Sequence, residues 1–142
     1  MKIHSNPILL VAFLSLLATS TAQAFTVEVR RVHDGDTIQV LSDTLPMPLA
    51  NMAVRLRGID TPELAGKCPA EKAKAKLATA YLKGLVKQGD VLTLNNPKWD
   101  KYGGRIDADV TWRDVDLAQA MIAAGYAVPY FGKGAKNDWC AP

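Results

Sequence analysis

Three short segments of this chain set carboxylates beside cationic side chains at spacings that suit phosphate or metal chemistry. His33-Asp-Gly-Asp36 puts two carboxylates in a tight polar turn, where oxygen ligands can converge on a hard cation such as Ca²⁺. It is not an EF-hand loop, because Ile38 and Gln39 stand where an acidic or amide residue and a glycine would follow. An Asp-Gly hairpin turn is the alternative reading of the same residues. Asp60-Thr61-Pro62-Glu63 comes just after a segment carrying Arg55 and Arg57. Alone it reads as a helix start, since proline and acids are favourable in a first turn. With arginines beside it and an acidic pair upstream, it could instead hold a metal and a phosphodiester. Asp100-Lys-Tyr-Gly-Gly-Arg105 is a turn ending in a cation at the head of a strand, and by itself an ordinary hairpin.

The elements that must position these side chains read as strands followed by helices. Phe25 to Val32, Thr37 to Leu41 and Met52 to Gly58 alternate with period two, as half-buried strands do. In the third, alternation puts Arg55 and Arg57 on one face and Val54 and Leu56 on the other. Pro69 suits the first turn of a helix that continues to Val86, with Gly89 as its terminating residue. Ala73, Leu77, Tyr81 and Leu85 recur at i+4 and predict a buried stripe. Lys72, Lys74 and Lys76 are either a nucleic-acid surface or the solvated face of that helix. Val91 to Leu94 and Arg105 to Trp112 read as two more strands. A second helix is expected from a cap at Asp114 through Leu117 and Met121 to a stop at Gly125. Five short strands with a helix after the third predict a mainly β fold with α (α+β), closed into a small barrel, because closure removes exposed sheet edges.

The first segment stands apart from this pattern. After Lys2 no formal charge appears until Glu28, and Ile8 to Ala18 is apolar except for Ser15. That run is shorter than the roughly 20 residues of a membrane span, and Ala22-Gln-Ala24 follows as an A-x-A cleavage site. Residues 1–24 therefore read as a secretory signal peptide, and 25–142 as one domain, secreted or periplasmic. Export implies an oxidising compartment, so Cys68 and Cys140 are expected to form a disulfide, a free buried pair being the alternative. The catalytic candidates lie outside such a bridge, so it is expected to act on stability alone. Seventeen Lys and Arg against fourteen Asp and Glu is too small an excess to argue for nucleic-acid coating by charge.

In order, the segments Val32-His-Asp-Gly-Asp-Thr37, Val54-Arg-Leu-Arg-Gly-Ile-Asp-Thr-Pro-Glu63, Asp100-Lys-Tyr-Gly-Gly-Arg105 and Leu117 to Gly125, with the closing Trp139-Cys140, resemble the staphylococcal (micrococcal) nuclease family. The resemblance implies a five-stranded oligonucleotide-binding (OB-fold) barrel with inserted and C-terminal helices. It implies an exported Ca²⁺-dependent phosphodiesterase that hydrolyses DNA, RNA or both to 3′-phosphate ends. It places the Ca²⁺ ligands on Asp36, Asp60 and the carbonyl of Thr61, with Asp34 beyond them. Glu63 falls on the general base that orients or deprotonates the attacking water. Arg55 and Arg105 fall on the two phosphate clamps, and Lys101 and Tyr102 on contacts to a bound nucleotide's phosphate.

Gly103-Gly104 stands where the type member has one glycine, so Arg105 is reached through a bulge or a wider turn. The C-terminal segment is shorter than in the type member, and Tyr130 is the candidate for a nucleotide-stacking aromatic there. The expected partner is a nucleic-acid substrate, with the protein a monomer free of the membrane after cleavage. The rival reading is a non-catalytic OB-fold nucleic-acid-binding module. Presence of all five of Asp36, Arg55, Asp60, Glu63 and Arg105 favours the enzyme.

Overall fold

The computed structural model describes residues 24–141. The signal-peptide reading falls on residues 1–24, of which 1–23 lie outside the described residues.

The alternating segments form the expected strands: β1 Phe25–Val32, β2 Thr37–Leu41 and β3 Asn51–Leu56. A two-residue strand, β4 Ile59–Asp60, leads to helix α1 Pro69–Leu85. Strands β5 Val91–Trp99, β6 Arg105–Trp112 and β7 Val115–Asp116 follow, then α2 Leu117–Ala123 and β8 Val128–Pro129. The order β3-β2-β1-β5-β6 is closed by a parallel pairing of β3 with β6, which makes a barrel of five strands. Inward residues of every barrel strand fill it, among them Val29, Ile38, Val40, Val54, Leu56, Leu92, Leu94 and Val110. At roughly 1.5 to 3 kcal/mol for each fully buried aliphatic side chain, this interior is the main source of stability. Closure with this strand count and two added helices is the OB-fold architecture.

Several local readings need correction. The buried stripe of α1 is Glu71, Ala75, Ala78, Thr79 and Leu82, and Leu77 is exposed. Small residues let the helix lie close on the barrel, and counting large apolar residues at i+4 selected a different face. Helix α1 ends at Leu85 with Val86 as its cap, while Gly89 (φ +89°) serves the turn into β5. Helix α2 is capped by Asp116, which accepts from the Gln119 amide at 3.0 Å, and not by Asp114. Asp114 (φ +67°) instead turns the chain between β6 and β7. Strand β5 runs five residues past Leu94, because a register shift between Asn95 and Lys98 absorbs Pro97 without ending the ladder.

Two features of the fold position the site. Gly35 packs where a Cβ would meet the Ala78 and Thr61 Cβ atoms at 3.0 and 3.1 Å, so the β1–β2 turn sits directly against α1 and the segment after β4. Strand β4 pairs antiparallel with β8, with Asp60 opposite Val128, and this pairing starts the C-terminal segment back across the barrel mouth.

Candidate active site

The site is a polar cleft of about 500 Å³ at one end of the barrel. The β1–β2 turn and the start of β2 supply Asp34, Asp36 and Thr37, and β3 supplies Arg55. The segment after β4 supplies Glu63, and the β5–β6 turn supplies Asp100, Lys101, Tyr102 and Arg105. Tyr130 and Lys136 enter from the C-terminal segment. Six of the expected functional residues, Asp36, Arg55, Glu63, Lys101, Tyr102 and Arg105, therefore line one cleft. Asp60 and Thr61 line an adjoining cavity of about 500 Å³, and Glu63 and Lys136 border both.

Asp36 is held by local chemistry. Its amide donates to Asp34 Oδ1 at 3.1 Å, an Asx turn that fixes the bend. Its side chain accepts from the Thr37 hydroxyl at 2.8 Å and pairs with Arg55 Nη2 at 3.2 Å. Burial pushes its pKa up to about 6, against the pull of Arg55 and with further pushes from the Asp34 and Glu63 charges. Such crowding of carboxylates is what a bound cation relieves.

Arg55 also donates to the Ile59 carbonyl at 3.1 Å, so its guanidinium is aimed by both the β1–β2 turn and the start of β4. Arg57 has a different task. It bonds Asp107 and Asp109, each at 3.3 Å, and the Asn96 carbonyl at 2.7 Å, which ties β3 to β5 and β6. Alternation put both arginines on one face and could not say which of them faces the cleft.

Gly103-Gly104 lie in the turn that joins β5 to β6. The Asp100 amide donates to the Arg105 carbonyl at 3.0 Å, and Gly104 takes φ +76°, a conformation glycine adopts without strain. Asp100 grips Arg105 through Nε and Nη2, both at 2.6 Å. Burial works against the Asp100 charge, yet the Arg105 hydrogen bond and charge win and hold its carboxyl below the usual range. The Arg105 guanidinium lies 4.8 Å from the centre of the Tyr102 ring and Lys101 Nζ 5.1 Å from it, so the ring gathers the two cations.

Asp60 is almost fully buried, and both of its carboxylate oxygens are engaged. Lys136 Nζ lies 3.1 Å from Oδ1, and the Trp139 indole N–H donates to Oδ2 at 2.9 Å. The same ammonium lies 3.1 Å from Glu63 Oε1. Burial disfavours the Lys136 charge, but its bonds to Asp60 and Glu63 prevail and raise its pKa. Cys68 and Cys140 form the expected disulfide, and the next residue back, Trp139, touches Asp60. The bridge thus anchors a segment that reaches the site.

The residues present fit a hard cation. All candidate donors are oxygens, and Asp60 already draws an ammonium to hydrogen-bond distance. Asp107, opposite Arg55 in the β3–β6 register, also lines the cleft, and its buried Oδ1 has no partner among the described residues. Sequence reasoning missed Lys136, Trp139, Asp100 and Asp107 as site residues. Asp100 could have been found from its place opposite Arg105 in a tight turn, whereas nothing local marks the other three.

The molecule is a closed OB-fold barrel with acids and arginines gathered in one cleft. The family model of the staphylococcal nuclease homologues matches residues 53–139, more than half of the chain, and the chain belongs to that family. No curated protein matches it. Strands β1 and β2, with Asp34 and Asp36, precede the matched segment, and the fold brings them to the same cleft.

Proposed function

We propose that this protein is an exported Ca²⁺-dependent nuclease that hydrolyses phosphodiester bonds of DNA, RNA or both and leaves 3′-phosphate ends. The observation that carries the reading is the convergence of Asp36, Arg55, Glu63 and Arg105, from four separate segments, on one polar cleft. Asp36, Asp60 and the Thr61 carbonyl would hold the ion. When bound, Ca²⁺ supplies positive charge to a non-bridging phosphate oxygen and to the attacking water.

The chain's own groups do the rest. Arg55 and Arg105 present planar N–H donors to the phosphate oxygens, where negative charge grows in the transition state. Asp100 and Asp36 hold those guanidiniums in place before substrate arrives. Glu63, more than half exposed at the cleft edge, takes a proton from the attacking water. Oxygen adds to phosphorus, the bond to the 5′-oxygen breaks, and that oxygen leaves as an alcohol once protonated. Lys101 and Tyr102 bind a phosphate of the bound strand.

The test is digestion of single- and double-stranded DNA and RNA in Ca²⁺ and in excess chelator, with analysis of the ends. Cleavage that needs Ca²⁺ and leaves 3′-phosphates is expected. Glu63→Gln should retain nucleotide binding and lose at least 10²-fold in kcat. Arg55→Ala should lose on the order of 3 kcal/mol of transition-state stabilisation. Products with 5′-phosphates, or full activity in chelator, would overturn the reading, and binding without cleavage would favour the non-catalytic module.

A further inference from the structure

The segment after β8 has no regular secondary structure, yet it is tied down along its length. The Tyr130 amide donates to the Gly58 carbonyl at 2.8 Å where the segment leaves β8. At its far end Cys140 is bonded to Cys68, the N-cap residue of α1. Lys74 of α1 donates to the Trp139 and Ala141 carbonyls at 2.9 and 3.3 Å. Between these anchors, Gly132 and Gly134 turn with φ near +80° and let the strap bend over the carboxylates. What the strap delivers is a cation: Lys136 Nζ, at 3.1 Å from both Asp60 Oδ1 and Glu63 Oε1.

We propose that Lys136 is a built-in counter-cation of the Asp60–Glu63 pair, which a divalent metal ion must displace, so that the disulfide-anchored strap sets the metal affinity of the site. This rests on the reading of Asp60 as a metal ligand. Asp60 is almost fully buried, and the Lys136 ammonium is the positive group placed directly against its carboxylate. An ion approaching Asp60 Oδ1 meets that ammonium as a competitor. Lys136 is half exposed, so it can swing into water when displaced. Its departure also frees Glu63 Oε1, so arrival of the metal and release of the proposed base become one event. Asp60 Oδ2 keeps its indole partner on the other side and stays oriented through the exchange.

The experiment is calorimetric titration of the purified protein with Ca²⁺ alone, no nucleic acid present, for wild type, Lys136→Met and Lys133→Met. Lys133 lies on the same strap and is exposed, so it controls for the loss of one positive charge nearby. Lys136→Met should bind Ca²⁺ at least about tenfold more tightly than wild type, because a unit charge in direct contact with the ligands is removed. Lys133→Met should stay within about twofold of wild type, its charge being screened by solvent. In wild type the Trp139 indole N–H resonance should shift on saturation. Equal affinities for wild type and Lys136→Met, or an equal gain in both variants, would overturn the counter-cation role and leave the metal site standing. No Ca²⁺ binding by any of the three would overturn the metal-site reading and this inference together.

Discussion

Asp36 carries the clearest single-residue consequence. Its carboxyl is buried in the cleft among other acids, and its pKa is pushed up from 3.8 to about 6, chiefly by burial, with Arg55 opposing. A group whose folded pKa lies above its unfolded one favours the folded state in its protonated form. That contribution is complete below about pH 4 and is lost as the pH rises through about 6. In chelator, wild type should therefore lose about 2 kcal/mol between pH 4 and pH 7 relative to Asp36→Asn, which has no proton to lose. Urea unfolding of both proteins across that range checks it. A constant difference between the two at every pH would show that Asp36 is not crowded in the way the geometry implies. Asp36 was legible as a functional candidate because two acids around a glycine are a local pattern. Of the charges that act on it, Asp34 belongs to that pattern, whereas Arg55, which lowers its pKa, and Glu63, which raises it, come from β3 and the segment after β4, and no local pattern contains them.

At the scale of elements, period-two alternation found all five barrel strands, because each has one face on the interior and one outside. The face of α1 was misread because small residues do its packing. Helix α1 turns Ala75 and Ala78 to the barrel, and a reading weighted by large side chains chose Leu77, which is exposed. Gly35 belongs to the same contact: its missing side chain lets the acidic turn press on Ala78 and Thr61. A methyl there would sit 3.0 Å from Ala78 Cβ, which is fixed to the helix, and 3.1 Å from Cβ of the buried Thr61, which leaves it little room. Gly35→Ala should therefore cost about 1–3 kcal/mol of stability, the usual price of overpacking. It should also weaken Ca²⁺ binding, because Asp36 moves with the turn. Lys83→Ala, on the exposed side of α1, is a suitable comparison and should change neither. Denaturant melts and Ca²⁺ titration of the two variants measure this, and an unchanged Gly35→Ala protein would show that the turn does not depend on close approach.

Across the whole molecule, the site depends on contacts between residues far apart in the chain. Trp139 reaches Asp60 over 79 positions and Lys136 reaches Glu63 over 73, and neither end carries a sequence signal that names the other. The cysteine pairing was legible because the chain has two cysteines, each with one possible partner. What the bridge does for the site was not, since that follows from where β8 and α1 bring its two ends. Closing a loop of 72 positions is worth roughly 4 kcal/mol by chain entropy, which for a domain of this size should appear as a fall of at least about 10 °C in Tm on reduction. A bridge that served stability alone would leave the site unchanged at temperatures where the reduced protein is still folded. Here the released end carries Trp139 and Lys136, so Lys136 is held near Asp60 and Glu63 only by the weaker contacts of the strap, and its effective concentration there falls. Reduced protein, or the Cys68→Ser/Cys140→Ser double variant, should therefore melt lower and yet bind Ca²⁺ more tightly at low temperature, approaching the affinity of Lys136→Met. Thermal melts and Ca²⁺ titrations with and without reductant separate the two effects. A lower Tm with unchanged Ca²⁺ affinity would confine the bridge to stability and leave the strap's hold on Lys136 independent of it.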